Sequence, residues 1–110
     1  MDEAREVSRR GLEIRPVLIL STAHATHGDM TLIEERHMAP DCPILCAADG
    51  YGAWLSAPSD EEGLDDVRRF GFSESMLKVM RFARSRGIDY VRFDCDGDQL
   101  ESEEVDLHDW

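Results

Sequence analysis

The sequence predicts an α+β domain with element order β-α-β-β-α-β. Three observations predict it. Apolar runs of strand length recur at 16–21, 44–48 and 53–57. Residues 90–95 alternate apolar and polar with period two. Between them, residues 73–86 carry an apolar stripe with helical spacing.

The elements follow in order. Residues 1–14 mix charges with few apolar positions and read as a polar arm, with a short helix at 2–10 ended by Gly11. Pro16-Val17-Leu18-Ile19-Leu20-Ser21 is continuously apolar and β-branched, the pattern of a strand covered on both faces. Residues 22–28 are small and polar. Asp29 or Thr31 then caps a short helix to about His37, with Thr31 and Glu34 at capping-box spacing and Pro40 as the stop. Ile44–Ala48 and Ala53–Ala57, joined by the turn residues Asp49-Gly50-Tyr51-Gly52, form a hairpin. Residues 59–66, with five acids, read as a solvated loop.

Ser73 or Ser75 caps the strongest helix. Met76, Val79, Met80 and Ala83 make its stripe, Leu77 widens it, and Gly87 sits where a left-handed C-cap belongs. In the last strand Val91, Phe93 and Cys95 point to the core, and Tyr90, Arg92 and Asp94 point outward or to a neighbour. Asp96-Gly97 is a hairpin turn signal, with a short return strand at 98–100. One mainly antiparallel sheet with two helices on one face, as in ferredoxin-like sandwiches, accommodates this order. The 110 residues make a single domain, with a folded core at 15–100 and an acidic tail at 101–110.

Composition bounds function. Acids outnumber bases 24 to 12, for a formal charge of −12, which argues against a binder of nucleic acid or anionic membrane. No apolar run reaches the ~20 residues of a membrane span, and no signal peptide opens the chain. Three cysteines, Cys42, Cys46 and Cys95, fit reduced thiols in a cytoplasm, with Cys46 and Cys95 as buried small hydrophobes.

Several chemistries have weak support. Asp94-x-Asp96-x-Asp98 lacks the glycine and the glutamate that an EF-hand loop needs at its sixth and twelfth positions. His24-x-x-His27 with Cys42 and Cys46 supplies four zinc-type ligands, but a straight strand would hold the two cysteines about 13 Å apart. A nucleophile elbow, a Walker A loop and a dinucleotide fingerprint are all absent from the sequence. The best enzymatic site is a pocket at the end of the first strand, built from Ser21, Thr22, His24 and His27. No cofactor or metal is expected.

Charge is segregated along the chain. Residues 59–66 and 93–110 carry acids and no base, while 67–92 carry seven bases. One reading is that the arginines pair with the flanking acids. Another is an anionic surface that imitates a phosphate backbone and occupies the basic groove of a nucleic-acid-binding protein. Its carriers are Asp60, Glu61, Glu62, Asp65, Asp66, Glu101, Glu103, Glu104 and Asp106. A third is docking through exposed aromatics at the hairpin, Tyr51 and Trp54, with Tyr90.

Three segments, Pro16–His24, Tyr51–Pro58 and Ala83–Gly97, stand together in characteristic order. Over residues 16–97 the chain resembles a small family of uncharacterised bacterial proteins carried on plasmids, integrative elements and phage-derived regions of proteobacteria. The resemblance carries over no catalytic or binding residue, and it leaves the arm and acidic tail outside the match. It implies a mobile-element setting, in which small acidic proteins often inhibit host defence as anti-CRISPR or anti-restriction proteins. The expectation is therefore a non-enzymatic, cytoplasmic acidic protein whose partner is a host defence complex with a basic nucleic-acid-binding groove.

Overall fold

A computed structural model describes residues 14–108. The short helix expected at 2–10 lies outside the described residues. The chain forms a four-stranded mixed sheet and three α-helices: β1 (Val17–Ser21), a single 3-10 turn (Thr22–His24), α1 (His27–Glu35), β2 (Cys46–Asp49), β3 (Gly52–Ser56), α2 (Glu61–Phe70), α3 (Glu74–Ser85) and β4 (Tyr90–Asp94). The α+β class and the β-α-β-β-α-β order hold, with one helix added. Strand order is β1-β4-β3-β2. β4 runs antiparallel to β3 and parallel to β1, and the β2–β3 pair is an antiparallel hairpin.

Strand parity decides what the sheet does. Leu20, Val91, Phe93, Ala53, Leu55 and Cys46 point to one face. There they form a single buried cluster with Ile33 of α1, Leu64 and Val67 of α2, and Met76, Leu77, Val79, Met80 and Ala83 of α3. All three helices therefore cover the same face. The expected α3 stripe is fully buried. Gly87 takes the left-handed conformation (φ 69°) that ends this helix.

The added helix, α2, takes in residues 61–66, which were read from sequence as loop. Asp60 caps it by accepting from Gly63 N–H; Glu61 and Glu62 lie in its first turn and Arg68 and Arg69 in its last, a charge order that suits the helix dipole. Helix α1 starts earlier than expected. Its cap is Thr26, in a reciprocal capping box with Asp29, which therefore sits at the third helical position.

The end of β4 also differs. The strand stops at Asp94, so Cys95 does not continue the alternation. Its N–H donates to Tyr51 O and its side chain is exposed. No return strand follows. Asp98 O instead accepts from Ser21 N–H across the edge of β1. Gly97 crosses that edge so closely that a Cβ there would stand 2.6 Å from Leu20 C and O. The glycine serves this approach rather than a hairpin.

The tail continues across the helical side. Val105 is buried, and Asp106 accepts from Lys78 Nζ and Ser75 Oγ, at 2.8 and 2.7 Å. Ser73, not Ser75, caps α3, and Ser75 is free to hold the tail.

Candidate functional site: the uncovered face of the sheet

The face opposite the helices carries Val17 and Ile19 from β1, Tyr90, Arg92 and Asp94 from β4, Trp54 and Ser56 from β3, and Ala47 and Asp49 from β2. Register places Ile19, Arg92, Trp54 and Ala47 in one row across all four strands. Ile19 is 57% exposed, Trp54 40% and Val17 38%; Leu45, just before β2, and Tyr51, at the hairpin turn, are exposed too.

Arg92 was expected to point outward or to a neighbour. It does point outward, yet it is only 7% exposed. Its guanidinium lies over the Trp54 ring, 5.4 Å from the centroid. It donates to both Asp49 oxygens, at 2.7 and 3.2 Å, and to Asp94 at 3.3 Å. The Arg92 guanidinium, and after it the Tyr51 N–H, hold the Asp49 carboxyl below its ordinary range. With the folded pKa below the unfolded value near ~3.9, this pairing contributes fully above that value and is lost as pH falls through the folded pKa. In the chain with Trp110→Phe, Trp54 emission is accordingly expected to stay constant from pH 8 to 5 and to change only below about pH 4. A transition centred near pH 6 would contradict the pairing.

The two sheet edges differ. The outer edge of β2 is closed: Met38 N–H donates to Cys46 O, and Ala48 N–H donates to His37 Nδ1, both at 2.8 Å. Beside β1, Arg15 pairs with Asp89 at 3.3 Å.

The enzymatic site expected at the end of β1 does not assemble. Ser21 is buried, and its Oγ accepts from Ala23 N–H. His24 is fully buried: Nε2 accepts from Leu100 N–H at 2.8 Å, which puts the proton on Nδ1, 2.7 Å from Asp106 O. Both ring nitrogens are thus spent on backbone groups, so His24 is neither a free base nor a metal ligand. His27 stands exposed at the start of α1. A depression of about 180 Å³ nearby, lined by Thr22, Met30, Glu34, Asp49, Tyr51 and Cys95, is open and below the several hundred cubic ångströms typical of ligand pockets.

The thiols are also placed. Burial, then the neighbouring Cys42 thiol, pushes Cys46 up to about 12. Iodoacetamide at neutral pH is expected to modify exposed Cys95 first and to leave Cys46 untouched until the domain unfolds. Rapid native labelling of Cys46 would contradict its placement. Asp94, Cys95 and Asp96 lie close enough to share an ion, but Asp98 does not join them. The Asp94 oxygens already accept from Arg92 and from the Asp96 N–H.

The nine carboxylates proposed as an anionic surface are divided by the fold. Glu61 pairs with Arg84 at 3.3 Å and lies 3.9 Å from Arg81. Asp65 pairs with Arg68, Asp66 with Arg69, Glu104 with Arg86 and Asp106 with Lys78. Asp60 is spent on its cap. Among the described residues, Glu62, Glu101 and Glu103 are the exposed remainder of the nine with no ion pair.

Residues 17–110 match the C-terminal domain of a family of unknown function, DUF5983. The chain belongs to this family. The DUF5983 match runs through the acidic tail, which corrects the boundary that the resemblance implied and agrees with the docking of Val105 and Asp106. No curated protein and no solved structure matches the chain. Among the described residues of this DUF5983 domain, no helix is long and apolar enough to cross a membrane.

Proposed function

We propose that this domain is a protein-interaction module that docks through the sheet face that no helix covers among the described residues. One observation carries the reading: Val17, Ile19 and Trp54 stand exposed on one face of a rigid sheet, with Arg92, already satisfied, between Ile19 and Trp54. Exposed apolar side chains scattered singly are ordinary, but three gathered on one face of a rigid frame favour a contact surface. The mobile-element setting makes a cytoplasmic host defence complex the first partner to test.

A second reading keeps the anionic imitation of nucleic acid. It is favoured by the charge of −12 and by the unpaired Glu62, Glu101 and Glu103. It is disfavoured by the ion pairs that neutralise five of its nine carriers.

Two variants separate the readings in co-purification from the source cytoplasm. Ile19→Lys with Trp54→Ser alters the open face, whereas Glu62→Lys with Glu101→Lys and Glu103→Lys removes the unpaired acids. Docking through the sheet predicts that the first variant loses its partner and the second keeps it. The reverse result would establish the anionic mechanism and end the docking one.

A further inference from the structure

Resting on the docking reading, we infer that the segment received by the open face is a basic amphipathic helix of a protein partner. Size comes first. Four strands at about 4.8 Å spacing, each of five residues or fewer, make a face roughly 14 Å by 14 Å. That accommodates one helix about 10 Å across, over roughly ten residues.

Charge then selects the helix. Asp49 and Asp94 lie on this face and Asp89 beside Tyr90, with exposed Asp96 just beyond the end of β4. Among the described residues two bases stand against these four carboxylates, Arg92 paired with Asp49 and Asp94 and Arg15 paired with Asp89, so the face keeps an excess of negative charge and Asp96 is in no ion pair. Arg92 is enclosed by its two carboxylates and Trp54, so it presents nothing to an anionic ligand. A nucleic acid would find no available cation in the middle of the face, and one side of the Trp54 ring already occupied. A second copy of this chain would set the same carboxylates against themselves, each copy carrying −12. The complement is an apolar stripe for Val17, Ile19 and Trp54, flanked by lysines or arginines that reach the hairpin end near Asp49, Asp94 and Asp96.

The test uses the full chain with Trp110→Phe, so that Trp54 alone reports by emission. Three helical peptides with one leucine stripe are titrated, their polar faces made of lysine, serine or glutamate. The lysine peptide is expected to shift Trp54 emission and to bind about tenfold or more tightly than the serine peptide. Its affinity should fall with added salt, and the glutamate peptide should not saturate. Ile19→Lys, with an unchanged urea midpoint as a control for folding, is expected to lose about tenfold in affinity for the lysine peptide.

Equal binding of all three peptides at Trp54 would overturn the basic partner and leave the docking face standing. Lysine-peptide binding without a Trp54 shift, or unaltered by Ile19→Lys, would overturn both, as would no binding of any peptide. A Trp54 shift with an oligothymidylate instead would make the face a nucleic-acid platform and overturn the inference.

Discussion

Asp29→Ala lowers the stability of the domain by about 3 kcal/mol, because one buried carboxylate begins two helices. Asp29 is 2% exposed. Its Oδ2 accepts from Thr26 N–H and from Ser73 Oγ, and its Oδ1 accepts from Ser73 N–H at 2.8 Å. Ser73 in turn accepts from Met76 N–H as the cap of α3. Alanine removes half of the α1 capping box and leaves Ser73 N–H and hydroxyl without their acceptor. Each lost cap costs about 1 kcal/mol, and each stranded buried donor about 1–3. Equilibrium urea unfolding measures the loss. Asp41→Ala, which breaks an exposed pair with Arg36, is the matched control and should change stability by less than about 1 kcal/mol. A cost for Asp29→Ala as small as the control's would mean that the two helix starts are not joined.

His24→Ala is expected to cost a similar amount, about 3 kcal/mol, and to release the tail. The imidazole is wholly enclosed, so its removal leaves a cavity. It also strands the Leu100 N–H and the Asp106 carbonyl. The tail would keep the His108 N–H to Ala23 O bond and the Asp106 contacts with Lys78 and Ser75. Those are more exposed, and they should open more often once Leu100 is free. Amide exchange therefore separates this variant from Asp29→Ala. His24→Ala should accelerate exchange at Leu100 and through 98–108 beyond what the global loss explains, whereas Asp29→Ala should not. Tail protection as in the wild type would place its anchor elsewhere.

These two residues show where sequence reasoning reaches its limit. Strands β1 and β3 were legible as apolar runs, β4 by its alternation and helix α3 by the stripe of Met76, Val79, Met80 and Ala83, which is buried. Helix α2 was not, because Leu64 and Val67 alone go to the core and eight of the remaining residues are charged, glycine or aromatic at its end. Its signals were the caps and the charge order, Asp60 before Glu61-Glu62 and Arg68-Arg69 before Gly71. The tail carries no period at all. It is held by the side chains of His24, Ser75 and Lys78, which lie far from it in sequence.

The open face was half legible. Tyr51, Trp54 and Tyr90 were candidates from residue type alone. Ile19 and Val17 were hidden by the reading of β1 as covered on both sides, which the single-sided placement of the helices corrects. Arg92 was read as facing outward or a neighbour, but that neighbour was not legible, because Asp49 is 43 residues away on β2 and only the β2–β3 and β3–β4 registers together bring them close. That the arginines pair with the flanking acids was one of the readings the sequence offered, and the structure bears it out; the individual partners, Arg68, Arg69, Arg84, Arg86 and Lys78, were not legible. Asp65–Arg68 and Asp66–Arg69 form at i,i+3 once α2 is helical, Glu61 meets Arg84 only with α2 and α3 side by side, and Glu104 and Asp106 meet Arg86 and Lys78 only with the tail laid across α3.

Carbene footprinting of the co-purified complex against the free chain reads the contact surface directly. The account predicts loss of labelling at Val17, Ile19, Trp54 and Tyr90, with Glu62, Glu101 and Glu103 labelled as in the free chain. Protection confined to those three glutamates, with Ile19 and Trp54 as reactive as before, would contradict it.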